Sequence, residues 1–257
     1  MSEAKIAWVT GAGKGIGEAI ALALGKAGIK VAVSARTQSD IEKVAASITN
    51  LGGAAIPVLC DVTQPASVAD AVSRVRQSLG PISILVNNAG AADSHKFIGH
   101  DDALWRRMID ANLNSVYYVT KAAAPMMAEA NWGRIINIAS IASKVGAKYV
   151  AAYTASKHGV LGLTRALAVE LVSYNITVNA ICPGYVDTPM TDRAVAIITS
   201  RTKLSEAEAR STLEKLSPQN RLIRPEEVAH VAMMLIGEDA RGITGQAINV
   251  DGGAVMF

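Results

Sequence analysis

The chain has 257 residues, half of them hydrophobic and 18% charged, with a net charge of +3. That length suits one large α/β domain with a substantial core, and so small a charge without a basic block argues against nucleic acid as a partner. No apolar run reaches the roughly 18 residues that span a bilayer, and Met1-Ser2-Glu3-Ala4-Lys5 leads straight into a strand-like run without a secretory leader. The two cysteines, Cys60 and Cys182, are too few for a disulfide framework, and His95, His100, His158 and His230 lack metal-ligand spacing. The expected setting is therefore the cytoplasm, with no metal. A charged fraction below the usual ~25% points to apolar surface covered by self-association.

Along the chain, short Val- and Ile-rich runs alternate with stretches of helical period. The runs Ile6–Thr10, Val31–Ala35, Ala54–Cys60, Ile84–Asn87, Arg134–Ile138, Thr177–Cys182 and Ala247–Val250 read as strands. Between them, Ile16–Lys26, Ser39–Leu51, Ser67–Leu79, Ala103–Ala130, Val150–Tyr174 and Pro225–Ile236 read as helices, with Thr63 and Pro65 as start signals for the third. Such alternation implies right-handed crossovers and a doubly wound, seven-stranded parallel sheet of Rossmann type in a single domain over residues 1–257. From 189 to 217 the rhythm breaks into two amphipathic pieces, Asp192–Arg201 and Ser205–Leu216, the second opened by a capping box of Ser205 and Glu208. An excursion placed just after a strand end reads as a lid, because open α/β sheets bind ligands beyond the carboxyl ends of their strands.

Two patterns carry chemistry. In Thr10-Gly11-Ala12-Gly13-Lys14-Gly15-Ile16-Gly17, glycines follow a strand and open a helix, so the backbone can approach a pyrophosphate held by free helix-start N–H groups. In Tyr153-Thr154-Ala155-Ser156-Lys157, helical spacing puts an ammonium beside a phenol. A free tyrosine titrates near roughly 10; a neighbouring positive charge is expected to lower that value and free the proton for transfer.

Gly11-x-x-x-Gly15-x-Gly17, Asn87-Asn88-Ala89-Gly90, Asn112, Ser140, Tyr153 with Lys157, and Pro183-Gly184, in that order, resemble the short-chain dehydrogenase/reductase family from Lys5 to Gly252-Gly253. The resemblance implies a catalytic set of Asn112, Ser140, Tyr153 and Lys157. Ser140, thirteen residues before Tyr153, would hydrogen-bond the substrate oxygen. Tyr153 would exchange a proton with it, and Lys157 would lower the tyrosine's pKa and hold the nicotinamide ribose. Asn112 would interrupt its helix and hold a water. The same resemblance places the cofactor on Gly11, Gly13, Lys14, Gly15, Ile16 and Gly17, on Asp61 and Val62, on Asn88, Ala89 and Gly90, on Tyr153 and Lys157, and on Pro183, Gly184, Val186 and Thr188. For Asp61, a place at the helix start beside Thr63 is an equal alternative.

The cofactor type is read from the second strand's end. Where NAD-specific proteins carry an acid for the ribose 2′-hydroxyl, this chain has Ala35 followed by Arg36, and Lys14 adds a cation. Arg36 and Lys14 read as a clamp for a 2′-phosphate, so NADP(H) is expected, with NAD(H) as the alternative. Family members with this pattern include 3-oxoacyl carrier-protein reductases, polyketide ketoreductases and 3-hydroxyacyl or 3-hydroxybutyrate dehydrogenases. Ala142 and Val150 stand where the hydroxybutyrate branch would carry carboxylate-holding residues. The pocket residues Ser140, Ala142, Tyr153, Tyr185 and Met190, with Ser143 nearby, suggest a cyclic, aromatic or acyl-thioester ketone or alcohol, while Lys144 and Lys148 are candidates for an anionic carrier. The resemblance further implies a homotetramer, for which the apolar face Val160, Leu161, Leu163, Leu167 and Leu171 offers support. A nucleotide-binding regulator that has lost the chemistry is the competing class, but none of the four catalytic residues is missing.

Overall fold

The computed structural model describes residues 5–257. Strands β1 (Ile6–Thr10), β2 (Lys30–Ala35), β3 (Ala55–Leu59), β4 (Ile84–Asn87), β5 (Gly133–Ile138), β6 (Ile176–Pro183) and β7 (Ala247–Val250) form one parallel sheet in the order β3-β2-β1-β4-β5-β6-β7. Successive side chains leave a strand on opposite faces, and here both faces are covered. Ala7, Val9, Val31, Val33 and Ile136 join one core with Ile20, Leu24, Ile41 and Leu235. Trp8, Ala32, Leu85 and Ile135 join the other with Val68, Val75, Val119 and Met127. The first core holds α1 (Gly15–Lys26), α2 (Gln38–Asn50) and α9 (Pro225–Ile236); the second holds α3 (Pro65–Ser78), α5 (Ser115–Glu129) and α6 (Ala151–Leu171). Continuous apolar strands follow from this two-sided burial.

Three boundaries differ from the sequence reading in an instructive way. The stretch read as one helix over Ala103–Ala130 is α4 (Asp102–Ile109), a π-helical turn over Asp110–Asn114, and α5. The third helix is capped at Gln64 with Pro65 in the first turn, so Thr63 lies outside it. The tail of the α6 reading, Val172–Tyr174, is a 3-10 turn that ends at Asn175 in the left-handed region, φ 56°.

Beyond β6 lies the excursion: α7 (Pro189–Arg201) and α8 (Glu206–Glu214), the latter opened by the expected reciprocal bonds between Ser205 and Glu208. It has a small core of its own in Val195, Ala209, Leu213 and Leu222. Its two ends are stitched together by a parallel bridge between Val186 and Ile223.

Candidate active site

The strand order reverses at the β1/β4 boundary, and crevices at such a switch point receive ligands. The cofactor and catalytic residues expected from sequence lie on the segments that leave this carboxyl edge, on the π-helical turn and on α6.

Ser140 follows β5 in extended backbone and caps the turn Ile141–Ser143, its Oγ accepting from the Ala142 N–H at 3.1 Å. Tyr153 sits in the first turn of α6 and Lys157 one turn further on, as their spacing requires. The Lys157 ammonium is buried, donates to the Ile138 carbonyl at 2.8 Å, and lies 5.8 Å from the centre of the Tyr153 ring. Here the sequence expectation about acidity needs correction. Burial pushes the Tyr153 phenol up, and a hydrogen bond with Ser140 opposes the rise. Lys157 is not what pulls it down; burial lowers the ammonium itself to about 8. Removing an ion from water penalises its charged form, so Tyr153 holds its proton firmly and Lys157 holds its own loosely.

The π-helical turn is where Asn112 sits, wholly buried. Its Nδ2 donates to the carbonyls of Ala91 at 2.9 Å and Met108 at 3.0 Å, while Oδ1 accepts from the Ala91 N–H at 2.9 Å. Both amide protons are therefore committed to backbone, and the side chain pins the loop after β4 instead of holding a water by donation. A Cβ on Gly90 would stand 2.7 Å from Asn112 Oδ1 and 3.8 Å from Lys157 Nζ, which places the three together.

On the cofactor side, Gly11 and Gly15 both have φ 61°, a region L-residues avoid. A Cβ on Gly17 would strike the Gly11 carbonyl and the Asn88 amide. The glycines thus keep a backbone cradle open, with the free start of α1 in it, and a dinucleotide's pyrophosphate fits that shape. Asn88 braces the cradle: its Nδ2 donates to the carbonyls of Thr10 and Gly11, both at 3.0 Å. Thr10 Oγ1 in turn accepts from the N–H groups of Asn88 at 3.0 Å and Ala89 at 3.2 Å. Arg36 is exposed, whereas Lys14 is paired at 3.8 Å with Asp40, whose Cβ packs on Gly13. Asp61 is held locally, its Oδ1 accepting from both the N–H and the hydroxyl of Thr63, but it lies ahead of the helix, whose cap position is Gln64. Val62 faces the cleft between β1, β4 and α5 with Thr10 and Ala89.

The opposite wall is the segment after β6. Gly184 donates to the Val250 carbonyl at 3.0 Å and packs against Asp251. Val186 is buried, and Thr188 Cγ2 closes to 3.0 Å of where a Gly15 Cβ would be, so this wall touches the glycine turn. Tyr185 and Met190 remain partly exposed, 39% and 37%, around the mouth. A narrow cleft lies between Ile141, Tyr185, Leu213 of α8 and Leu216 just beyond that helix. Two expectations fail here. Ser143 is turned inward at 3% exposure. Lys144 is no free cation: it donates to the carbonyls of Ala247 at 2.9 Å and Phe257 at 2.6 Å.

Sequence reasoning also missed a buried polar chain beneath the site. Asn87 Nδ2 donates to Thr120 Oγ1 at 2.9 Å and Asn137 Oδ1 at 2.8 Å, and Asn137 Nδ2 donates to Thr164 Oγ1 at 2.9 Å. The signal was present: an asparagine inside a fully buried strand, Asn137 in β5, must find buried partners.

A parallel sheet wound on both faces, a glycine cradle at its switch point and a Ser–Tyr–Lys cluster across the crevice together define a dinucleotide-dependent oxidoreductase. The short chain dehydrogenase family model matches residues 5–197, and the chain belongs to that family. It is 40% identical over 253 residues to a putative ketoacyl reductase of Streptomyces coelicolor, covering 98% of this chain and 97% of that one. It is 39% identical over 254 residues to a 3-oxoacyl-[acyl-carrier-protein] reductase of Pseudomonas aeruginosa, covering 99% and 98%. Among solved structures, a single-residue variant of actinorhodin polyketide ketoreductase with NADPH superposes with a TM-score of 0.96 at 38% identity, over 100% of this chain and 99% of that one. The protein is a nicotinamide-dependent oxidoreductase of CH–OH groups.

Proposed function

We propose that this enzyme moves hydride between NADP(H) and a ketone or secondary alcohol of cyclic, aromatic or acyl-thioester type. The observation that carries the reading is the cluster of Tyr153, Ser140 and buried Lys157 facing the glycine cradle across one crevice. The bound nicotinamide supplies the hydride. Tyr153 donates its phenolic proton to the substrate oxygen, and the Ser140 hydroxyl stabilises charge as it develops there. Lys157 holds the nicotinamide ribose, and Asn112, through Ala91 and Gly90, sets the loop beside it. Gly11, Gly13, Gly15, Ile16 and Gly17 hold the pyrophosphate, with Asn88, Ala89, Asp61 and Val62 on the adenosine side and Pro183, Gly184, Val186 and Thr188 on the nicotinamide side. Ala142, Tyr185 and Met190 border the substrate beneath α7 and α8, which act as the lid.

The NADP(H) preference rests on the neutral Ala35, the exposed Arg36 and the nearby Lys14, and agrees with the ketoreductase likeness. Lys14 shares its charge with Asp40, so Arg36 is the principal phosphate group. Two buried, unpaired cysteines suit a reducing, cytoplasmic setting.

The test uses two variants, a panel of ketones and acyl thioesters, and both reduced nicotinamides. Tyr153→Phe is expected to lose turnover by at least about a hundredfold, the scale of one general acid, while still binding NADPH. Arg36→Ala is expected to cut the NADPH-over-NADH ratio of kcat/KM at least about tenfold, as loss of a charge-assisted phosphate bond requires. Full turnover in Tyr153→Phe removes the proton-transfer assignment, and an equal preference in wild type and Arg36→Ala removes the clamp.

A further inference from the structure

The lid excursion leaves the body of the enzyme on one leg and returns on another, and each leg has its own arginine. The returning leg is held by Arg221, whose guanidinium grips Glu227 of α9 through two bonds of 2.7 and 2.8 Å. Glu227 also accepts from the Arg224 N–H at 2.8 Å, which anchors that leg to the sheet's outer helix.

The outgoing leg is held differently. Arg210, on the inner part of α8, reaches back to the start of the excursion. Its Nη2 donates to Asp187 Oδ1 at 2.7 Å, its Nη1 lies 3.5 Å from Asp192 in the first turn of α7, and its Nε lies 3.6 Å from Glu214. One guanidinium thus ties three carboxylates from three places: the turn before α7, α7 itself and α8. Without it those carboxylates would repel one another across the hinge.

The position of Asp187 gives this contact its consequence. Its N–H donates to the Ile223 carbonyl at 2.8 Å, which closes the two legs into one base. Its neighbours are Val186, buried in that bridge, and Thr188, whose methyl packs on the glycine turn at Gly15. A displacement of Asp187 is therefore passed directly to the wall that faces the cofactor cradle. Val195 of α7 and Ala209 and Leu213 of α8 pack together with Leu222 in one small core, so the tie joins the outgoing leg to a packed unit.

We propose that Arg210 is a positioning residue that latches the lid and, through Asp187, seats Thr188 against the glycine turn, so that it governs nucleotide retention without touching nucleotide or substrate. The proposal rests on the functional reading above in taking the crevice between Thr188 and Gly15 as the nucleotide site. Its distinguishing sign is the separation of effects: a structural ion pair of this exposure contributes little to global stability, whereas a latch alters nucleotide affinity and lid opening.

The experiment compares Arg210→Gln, Arg210→Lys and Asp187→Asn with wild type. Dissociation constants for NADP+ and NAD+ are measured by titration calorimetry, and tryptic cleavage after Arg193, Arg201 and Lys203 is followed by mass spectrometry. Arg210→Gln and Asp187→Asn are expected to weaken the preferred nucleotide about fivefold, the equivalent of ~1 kcal/mol. They should also speed lid cleavage by a similar factor while the melting temperature stays within a few degrees. Arg210→Lys keeps the charge but not the three-way fork and should fall between wild type and Arg210→Gln. If Arg210→Gln does not fold, Asp187→Asn weakens the same contact from its more exposed end by removing the carboxylate charge. Nucleotide affinity and lid cleavage both within twofold of wild type overturn the proposal, as does a general loss of stability with no lid-specific cleavage. A failure of the catalytic reading shows separately, as full turnover in Tyr153→Phe.

Discussion

At Tyr153 the local environment works against the simplest account of a lysine-activated tyrosine. Burial raises the phenol and lowers the Lys157 ammonium, so in the free enzyme Tyr153 stays protonated throughout neutrality while Lys157 loses its charge at about 8. That suits reduction at neutral pH, where the donor must be protonated. A lysine with a lowered value is charged below about 8 and neutral above it, and kcat/KM reports groups of the free enzyme. In the reductive direction kcat/KM is expected to hold through neutrality and fall as pH rises through that value. In the oxidative direction the phenol must lose its proton, so kcat is expected to climb on the alkaline side. Stopped-flow or steady-state profiles in both directions check this; a reductive profile that climbs through the same range contradicts it. Spacing puts the pair on one helix face whatever surrounds it, and the family resemblance supplied its role. The acidity was not legible, because desolvation is a property of everything packed around the pair.

Elements were legible where period and punctuation agree. All seven strands stand within a residue or two of their sequence bounds, and the capping box at Ser205 and Glu208 formed as its spacing requires. The join of α4 and α5 is the opposite case. Periodicity through Ala103–Ala130 is continuous; the family resemblance expects the break at Asn112, and the bonds from Asn112 to Ala91 and Met108 show how the π turn is held. The crossing of α1 over the ends of β1 and β4 depends on Gly17, where a methyl group would meet the Gly11 backbone as well as Asn88. Backbone cannot step aside as a flexible side chain can. Gly17→Ala is therefore expected to cost about 1–3 kcal/mol, the usual range for overpacking, and to lower the melting temperature by several degrees. Nucleotide affinity should fall with it, since the displaced carbonyl lines the cradle. Thermal melts and NADP+ titration read both; unchanged values in both would show that the turn relaxes freely.

Across the whole molecule, the apolar face that sequence assigns to assembly turns inward: Val160 and Leu161 are buried, and Leu163, Leu167 and Leu171 pack against the cores. Among the apolar side chains that stay exposed are Tyr117 on α5, Val169 on α6 at 79% exposure, Val172 and Tyr174 just beyond it, and Met234 on α9. We read these as the contacts of a homotetramer. Val169→Asp is expected to shift wild-type tetramer toward smaller species in light scattering with the fold retained; a wild-type monomer removes the assembly reading. The Rossmann sheet, the glycine cradle and the Ser140–Tyr153–Lys157 set were determined by the chain itself, because they depend on local periodicity, backbone freedom and short spacings. Only the tertiary structure decided the proton affinities, the inward turn of Ser143, the binding of Lys144 to Ala247 and Phe257, the pairing of Lys14 with Asp40, and the contacts of Arg210 with Asp187, Asp192 and Glu214. Each of those depends on which distant residues share a volume, and desolvation and charge pairing act through space without regard to sequence separation.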